Sequence, residues 1–258
     1  MRVIALQSGS NGNCIFVEAA GVRLLIDAGI SGVTAQQRLA AHGVDIRTVQ
    51  ALLISHDHGD HVRSMGTLHR QFKLPLHVTE PTLAAATRFN RLGRFKDVRH
   101  FQAGDTLRVR GVTIETIPTP HDAVDGVGFV VDDGQSRLGI LTDLGHVFDG
   151  LGEVIETLDA VIIESNYDPQ MLAKSTYPPE LKQRIRGPGG HLSNEEAAQL
   201  LAGSGRRLRW ACLAHLSQQN NTPELARVTH EQILDDLPIH VASRFAATEI
   251  KQPEPMLF

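Results

Sequence analysis

The fold of this chain is decided by one stretch, Leu52-Leu53-Ile54-Ser55-His56-Asp57-His58-Gly59-Asp60-His61. It starts as an apolar strand and ends in four side chains that can bind a metal: His56, His58, Asp60 and His61. In extended backbone, residues two apart project to the same side, so His56 and His58 can share one ion. The chain then turns at Gly59, which directs the next two ligands elsewhere. One turn can therefore serve two metal ions.

The donor atoms of this turn indicate the chemistry. Imidazole nitrogen and carboxylate oxygen suit zinc, manganese or iron. A pair of such ions about 3.5–4 Å apart can activate water and hold a phosphoryl group. A polar turn in contact with solvent is the alternative interpretation, but the full His-x-His-x-Asp-His spacing after a buried strand favours a metal site.

Length, composition and charge exclude several classes of protein. The chain has 258 residues, 41% of them hydrophobic and 21% charged, which is typical of a globular protein. Its formal net charge of −4 excludes the overall positive field of a general nucleic-acid binder, so any contact with phosphate must be local. Its cysteines, Cys14 and Cys212, suit a reducing compartment. Since Met1–Leu6 is too short for a signal peptide and no run of 18 apolar residues occurs, we expect a cytoplasmic protein without a membrane partner.

The pattern of strands and helices predicts the architecture. Short β-rich runs, buried strands and amphipathic helices recur in two similar halves, and no linker or repeat separates them. Helices are expected over Val62–Phe72 and Val147–Thr157, among others. We therefore expect one domain over residues 1–258, of the α/β (α+β) class. Two mixed β-sheets would pack together with helices on both outer faces, as a four-layer αββα sandwich.

The run from His56 to His61 resembles the second motif of the metallo-β-lactamase fold superfamily. Three later residues resemble further motifs of that superfamily in the expected order: His121, Asp143 and His215. The resemblance implies two metal ions, one held by His56, His58 and His121, the other by Asp60, His61 and His215, with Asp143 bridging both. Without the resemblance, Asp143 could equally be the N-cap of a helix that begins near His146.

Three further segments narrow the resemblance: residues 8–14, 189–197 and 215–221. Together they are similar to the YycJ/WalJ (VicX) family of bacterial phosphodiesterases, a group of 5′-to-3′ exonucleases acting on single-stranded DNA. The resemblance implies that single-stranded DNA is the substrate. It gives these candidate substrate-binding residues: Ser10, Asn11, Asn13, Ser217, Asn220 and Asn221. The loop over residues 8–14 can present backbone N–H groups to a phosphate, or it can simply be a tight turn between strands.

The same segments are similar to parts of RNase Z, in which a histidine beside a glutamate donates a proton to the leaving group. The matching positions are His191 and Glu164, which we expect to be catalytic together with Asp60. A hydroxide activated by the metal ions would attack phosphorus, Asp60 would orient the water and accept its proton, and His191 would assist departure. Alternatively, His191 only precedes a helix. Arg184 and Arg186, followed by glycines, are expected to lead a mobile basic loop.

Three other functions compete with the exonuclease. A thioester or lactone hydrolase resembling glyoxalase II would use the same ions, but the segments around His191 and Asn220 speak against it. An RNA-processing nuclease is a nearer rival, although the interval between Asp143 and His215 is too short for the inserted domain of β-CASP nucleases. A metal-stabilised regulatory module without catalysis is disfavoured because the ligand set lacks cysteine and leaves coordination positions open.

Overall fold

In a computed structural model, residues 1–250 are described and form two seven-stranded mixed sheets. The first sheet has the spatial order β14 (Thr248–Ile250), β1 (Arg2–Gln7), β2 (Cys14–Ala19), β3 (Val22–Ile26), β4 (Ala51–Leu53), β5 (Leu76–Thr79) and β6 (Val98–Phe101). The second has the order β13 (Ile239–Val241), β12 (Ala211–Ala214), β11 (Ala160–Glu164), β10 (Arg137–Leu141), β9 (Val127–Asp132), β8 (Val112–Pro118) and β7 (Thr106–Val109).

Both sheets change from antiparallel to parallel pairing at one internal strand. In the first sheet β3 pairs antiparallel with β2 and parallel with β4. In the second sheet β10 pairs antiparallel with β9 and parallel with β11. The two halves expected from the sequence therefore share one topology.

Most helices pack on the outer face of a sheet, while two helices of the second half pack against each other in a separate apolar cluster. The helices are α1 (Gly32–Ala41), α2 (Gly59–Val62), α3 (Met65–Phe72), α4 (Glu80–Phe89), α5 (Leu151–Glu156), α6 (Pro169–Lys174), α7 (Pro179–Arg186), α8 (Asn194–Ser204) and α9 (Pro223–Ile233). Local sequence sets several boundaries: Ser193 and Glu196 form a reciprocal capping box at the start of α8. Among residues 1–250, no helix is both long enough and apolar enough to cross a bilayer.

Three apolar clusters hold the layers together. One lies between the sheets and includes Val17, Phe129 and Ile162. The other two join each sheet to its helices, around Leu39 in the first half and Leu201 in the second. This arrangement confirms the predicted four-layer αββα sandwich.

One predicted helix is divided in two. The stretch Val62–Phe72 was expected to be continuous, but α2 ends at Val62 and α3 begins at Met65. The backbone N–H of Ser64 donates to the carbonyl of Ala28 at 2.9 Å, which ties the break to the loop after β3. The break thus positions the residues of α2 beside that loop.

Two further expectations for the second half were wrong. The helix predicted over Val147–Thr157 begins only at Leu151, because Gly150 has φ 89°, which does not continue a right-handed helix. Arg184 and Arg186 lie in the last turn of α7 and not in a loop. Pro179 in its first turn, with a fixed φ and no N–H to satisfy, favours this start of α7.

Candidate functional site

Two aspartates follow the strands at which the sheets change pairing. Asp27 comes directly after β3 and Asp143 two residues after β10, and both have left-handed backbone, with φ of 63° and 57°. Such a conformation costs roughly 1–2 kcal/mol for a residue other than glycine, so it persists where other contacts hold it. Because α5 begins only at Leu151, Asp143 does not cap a helix.

His61 lies between these two aspartates. Its Nδ1 atom is 2.7 Å from Asp27 Oδ2 and its Nε2 atom is 3.3 Å from Asp143 Oδ2. Asp27 also accepts hydrogen bonds from the backbone N–H and the hydroxyl of Ser55, at 2.8 and 2.9 Å. An acceptor-only carboxylate at Nδ1 fixes the orientation of the His61 ring and directs Nε2 toward Asp143.

His56, His58 and His121 form a group whose ring nitrogens could hold one ion, since the ligand atoms lie within 4.8 Å of one another. His56 and His58 lie in the loop between β4 and α2, while His121 follows β8. The Nδ1–H of His121 donates to the carbonyl of Gly190 at 2.8 Å, and its Nε2 is 3.3 Å from His58 Nδ1. The carbonyl thus aims the metal-binding nitrogen of His121 into the group.

A second group consists of Asp60, His61 and His215, again with ligand atoms within 4.8 Å of one another. His215 follows β12 with φ 55°, and its Nε2 is 3.2 Å from Asp60 Oδ2. Asp143 lies between the two groups, with Oδ1 3.7 Å from His121 Nε2 and 3.4 Å from His215 Nδ1. All seven residues expected to bind metal therefore converge in one cluster.

The cluster contains buried polar atoms that need a partner. Among residues 1–250, His56 Nε2 and Asp143 Oδ2 are buried without a hydrogen bond. Leaving such atoms unpaired costs roughly 1–3 kcal/mol each, and buried polar groups in proteins are normally satisfied. A cation at this position would satisfy both atoms, so the residues present fit a divalent metal.

The electrostatics also favour a positive charge here. Burial alone lowers the pKa of His61, but the carboxylates of Asp27, Asp143 and Asp60 outweigh it and raise the pKa to about 9. For Asp143, burial raises the pKa, yet His215 and His61 bring it below its ordinary value. His56 has a pKa well below normal, first through burial and then through its neighbouring histidines. It is therefore a neutral imidazole, the form that binds metals.

Glu164 and His191 form a pair beside the cluster. Glu164 ends β11 and is fully buried, and its Oε1 accepts a hydrogen bond from His191 Nδ1 at 2.5 Å. Its Oε2 accepts from the backbone N–H groups of Leu144 and Leu192, at 3.1 and 3.2 Å. Burial raises the pKa of Glu164, but its contacts with His191 and His215 outweigh this and lower it well below the usual range. Glu164 is thus an ionised acceptor that leaves Nε2 of His191 for another partner.

An open pocket of about 230 Å³ lies over this cluster. Its floor includes Asp60, Asp143 and His215, and His191 forms part of its wall. Tyr177, Leu181 and Ile185, from and just before α7, supply a partly apolar side. The sequence analysis did not identify these three side chains as part of the site.

The residues predicted to bind substrate divide into two sets. Ser10 and Ser217 line the pocket. The side chains of Asn13, Asn220 and Asn221 are buried and bonded within the protein. The exposed Asn11 accepts a hydrogen bond from Arg244 at 3.2 Å.

The buried asparagines join loops together and do not contact the pocket. Asn13 Nδ2 lies 2.9 Å from His61 Nε2, and Asn13 Oδ1 accepts from the N–H of Gly9 at 2.8 Å. Asn221 donates to the carbonyls of Ser165 and Asn166, at 2.9 and 3.1 Å. None of these three side chains lines the pocket, and their role in binding substrate stays a prediction.

Sequence reasoning also missed an ion pair at the edge of the site. Asp122 accepts from Arg184 Nε at 2.6 Å and from its Nη2 at 2.9 Å. The other contacts of Asp122 Oδ1 are His121 Nε2 at 3.5 Å and His58 Nε2 at 3.8 Å. The pair therefore ties α7 to the loop of His121. Asp122 directly follows the predicted ligand His121 in the sequence, and this position could have identified it as part of the site.

Fold and cluster together define a member of the beta-lactamase superfamily, and the family model described as "Beta-lactamase superfamily domain" matches residues 22–216. The metallo-beta-lactamase fold protein YhfI from Bacillus subtilis has the same fold, with a TM-score of 0.74 at 16% identity, covering 96% of this chain and 99% of YhfI. The predicted superfamily is confirmed.

Two curated proteins are similar over most of their length. Exodeoxyribonuclease YycJ of Bacillus anthracis is 32% identical over 255 residues, covering 98% of this chain and 95% of YycJ. Exodeoxyribonuclease WalJ of Streptococcus pneumoniae is 36% identical over 227 residues, covering 87% of this chain and 84% of WalJ. The chain belongs to the YycJ/WalJ family of exodeoxyribonucleases.

Proposed function

We propose that this protein is a metal-dependent exodeoxyribonuclease that degrades single-stranded DNA from 5′ to 3′ with two divalent metal ions, zinc, manganese or iron. The observation that carries the proposal is the convergence of seven histidines and aspartates from four separate segments of the chain beneath one pocket, in a chain similar to two exodeoxyribonucleases over most of its length. Nucleic acid is the substrate class that these relatives imply.

In this proposal, His56, His58 and His121 would hold one ion, and Asp60, His61 and His215 would hold the other. Asp143, which lies between the two groups, would serve as a ligand as well. Bound divalent ions would polarise the phosphodiester and make water a better nucleophile at neutral pH. Asp27 and the carbonyl of Gly190 hold the rings of His61 and His121, so that the ligand nitrogens are oriented before a metal arrives.

The chain's own residues supply the proton transfers. Asp60 Oδ2, part of the pocket floor, orients the attacking water and accepts its proton. His191 donates a proton from Nε2 to the departing oxygen, because Glu164 occupies Nδ1. The hydrogen bond from Nδ1 to the ionised Glu164 holds the ring of His191 in one orientation for this step.

The apolar side of the pocket suits the base and sugar of a nucleotide. Tyr177 presents an aromatic ring, and stacking of a base on such a ring contributes about 1–3 kcal/mol without sequence preference. The polar rim at Ser10 and Ser217 can contact the phosphate backbone. The combination of an aromatic side and a polar rim supports a single-stranded substrate, whose bases are free to stack.

The test is an assay of metal-reconstituted protein on matched substrates. Single-stranded DNA labelled at the 5′ or the 3′ end, duplex DNA, RNA and a thioester are compared under one condition. We expect mononucleotides to be released from the 5′ end of single-stranded DNA. Asp143→Ala abolishes turnover, whereas Asp149→Ala, an exposed aspartate of the same loop, leaves it unchanged. Exclusive cleavage of the thioester would contradict the proposed nuclease activity. Faster cleavage of RNA than of DNA would contradict the proposed preference for single-stranded DNA.

A further inference from the structure

The loops that carry the two pocket-lining serines are joined by one arginine. Arg244 Nη1 donates to Asn11 Oδ1 at 3.2 Å and to Gln218 Oε1 at 3.5 Å. Its Nη2 donates to the carbonyl of Leu216 at 2.5 Å. Asn11 is adjacent to Ser10, and Leu216 and Gln218 flank Ser217. The guanidinium therefore binds both loops next to their pocket-lining serines.

The charge of Arg244 is not balanced by these contacts. All three oxygens that accept from it are neutral, and among residues 1–250 two of the five N–H donors of the guanidinium have no hydrogen-bond partner. The side chain is half-buried, and burial lowers its pKa. A partly desolvated cation without a carboxylate is an unfavourable arrangement in an empty site and a favourable one beside an anion.

Arg184, an arginine that lines the pocket, differs from Arg244 because its charge has a partner. Both oxygens of Asp122 bind Arg184, so its charge is already paired. The floor of the pocket is acidic at Asp60 and Asp143, which a bound metal would neutralise. Among residues 1–250, Arg244 is thus a cation beside the two serine loops that no carboxylate pairs, and it can meet a phosphate beyond the metal cluster.

We propose that Arg244 is a specificity-determining residue that binds a phosphate neighbouring the scissile one in the nucleic-acid strand. The inference rests on the proposed nuclease function and deepens it, since it makes the enzyme prefer a chain of nucleotides over an isolated phosphodiester. The fork of Arg244 donates to a non-bridging oxygen of that phosphate, while Ser10 and Ser217 lie on either side of it.

The test compares two substrates that differ in their number of phosphates. One is a single-stranded oligonucleotide, and the other is thymidine 5′-(4-nitrophenyl) phosphate, which has a single diester. For Arg244→Gln we expect kcat/KM on the oligonucleotide to fall about tenfold more than on the single diester. The slope of log kcat/KM against log salt should become shallower by about 0.7, the contribution of one single-strand phosphate contact.

Two further variants separate binding from the bracing of loops. Arg244→Lys keeps the positive charge and should recover most of the salt dependence, although it loses the fork. Arg227→Gln removes an exposed arginine of α9 that pairs with Glu231, and should match the wild type on both substrates. Equal losses of kcat/KM on both substrates in Arg244→Gln, with an unchanged salt slope, would overturn the proposal. Arg244 would then only hold the two loops together. Wild-type protein inactive on both substrates would instead overturn the nuclease function.

Discussion

The buried carboxylate of Glu164 and the imidazole of His191 are joined by a hydrogen bond of 2.5 Å from Nδ1 to Oε1. Glu164 is itself held by two backbone N–H groups, those of Leu144 and Leu192, so its position does not depend on His191. This arrangement fixes which nitrogen of His191 is available to a substrate. A proton on Nε2 can only be passed toward the pocket.

His191→Ala should therefore impair the departure of a poor leaving group more than that of a good one. We expect turnover on single-stranded DNA to fall by about 10²–10⁴, the usual contribution of a positioned acid. Turnover on a 4-nitrophenyl diester should fall far less, because nitrophenolate leaves without a proton. His146→Ala is the matched control, since His146 donates from Nδ1 to the carbonyl of Pro188 in a neighbouring loop. Equal losses on both substrates would exclude the acid role.

Asp27→Asn should weaken metal binding without removing a proposed ligand. The variant keeps a residue that tolerates left-handed backbone, but its amide no longer provides the carboxylate that orients His61 and Ser55. We expect metal affinity to fall about 10–100-fold, as measured by competition with a chelating dye. Asp45→Asn, an exposed aspartate that caps a short turn, serves as control. An affinity equal to that of the wild type would contradict this role of Asp27.

Asn221→Ala should lower stability and leave substrate affinity of the folded protein unchanged. The variant removes the side-chain donor from the buried carbonyl of Ser165, while the carbonyl of Asn166 keeps the N–H of Ser217, and this should cost about 1–3 kcal/mol in urea unfolding. Asn11→Ala, at an exposed position, should change stability by less than about 0.5 kcal/mol. A raised KM for Asn221→Ala with unchanged stability would support the prediction that Asn221 contacts substrate.

His77 predicts a pH dependence outside the metal cluster. Burial, assisted by the charge of Arg99, lowers its pKa from 6.5 to about 4. Between these values the unfolded chain binds a proton that the folded protein excludes, so the free energy of unfolding falls as pH decreases through this window. At pH 5 the loss should reach about 2 kcal/mol relative to pH 7. His77→Leu should lack this part of the acid destabilisation, and parallel pH profiles of the two proteins would contradict it.

The sequence predicted the parts of the site that are local or ordered along the chain. His56 to His61 form one short motif after an apolar strand, and Asp143 and His215 each follow a predicted strand. Sequence analysis did not identify Asp27 as a partner of His61. The two residues meet only because β3 pairs parallel with β4, which aligns Ile26 with Leu53. No spacing along the chain encodes that register.

Burial was the other quantity that residue types did not reveal. The asparagines at positions 13, 220 and 221 have polar side chains suited to binding phosphate. In the fold, Asn13 contacts a ring nitrogen, Asn221 donates to buried carbonyls, and Asn220 donates to the hydroxyl of Ser217. Arg184 was expected in a mobile loop because glycines follow it, but its pairing with Asp122 and the proline start of α7 fix it on a helix. Tertiary contacts decided both cases.

The most direct test is a titration of metal-free protein with Mn²⁺ while cleavage of single-stranded DNA is followed in the same sample. If the seven clustered side chains hold two ions that act together, activity rises with the added metal and saturates at two equivalents per chain. Full activity without metal, or saturation at a single equivalent, would contradict the dinuclear site.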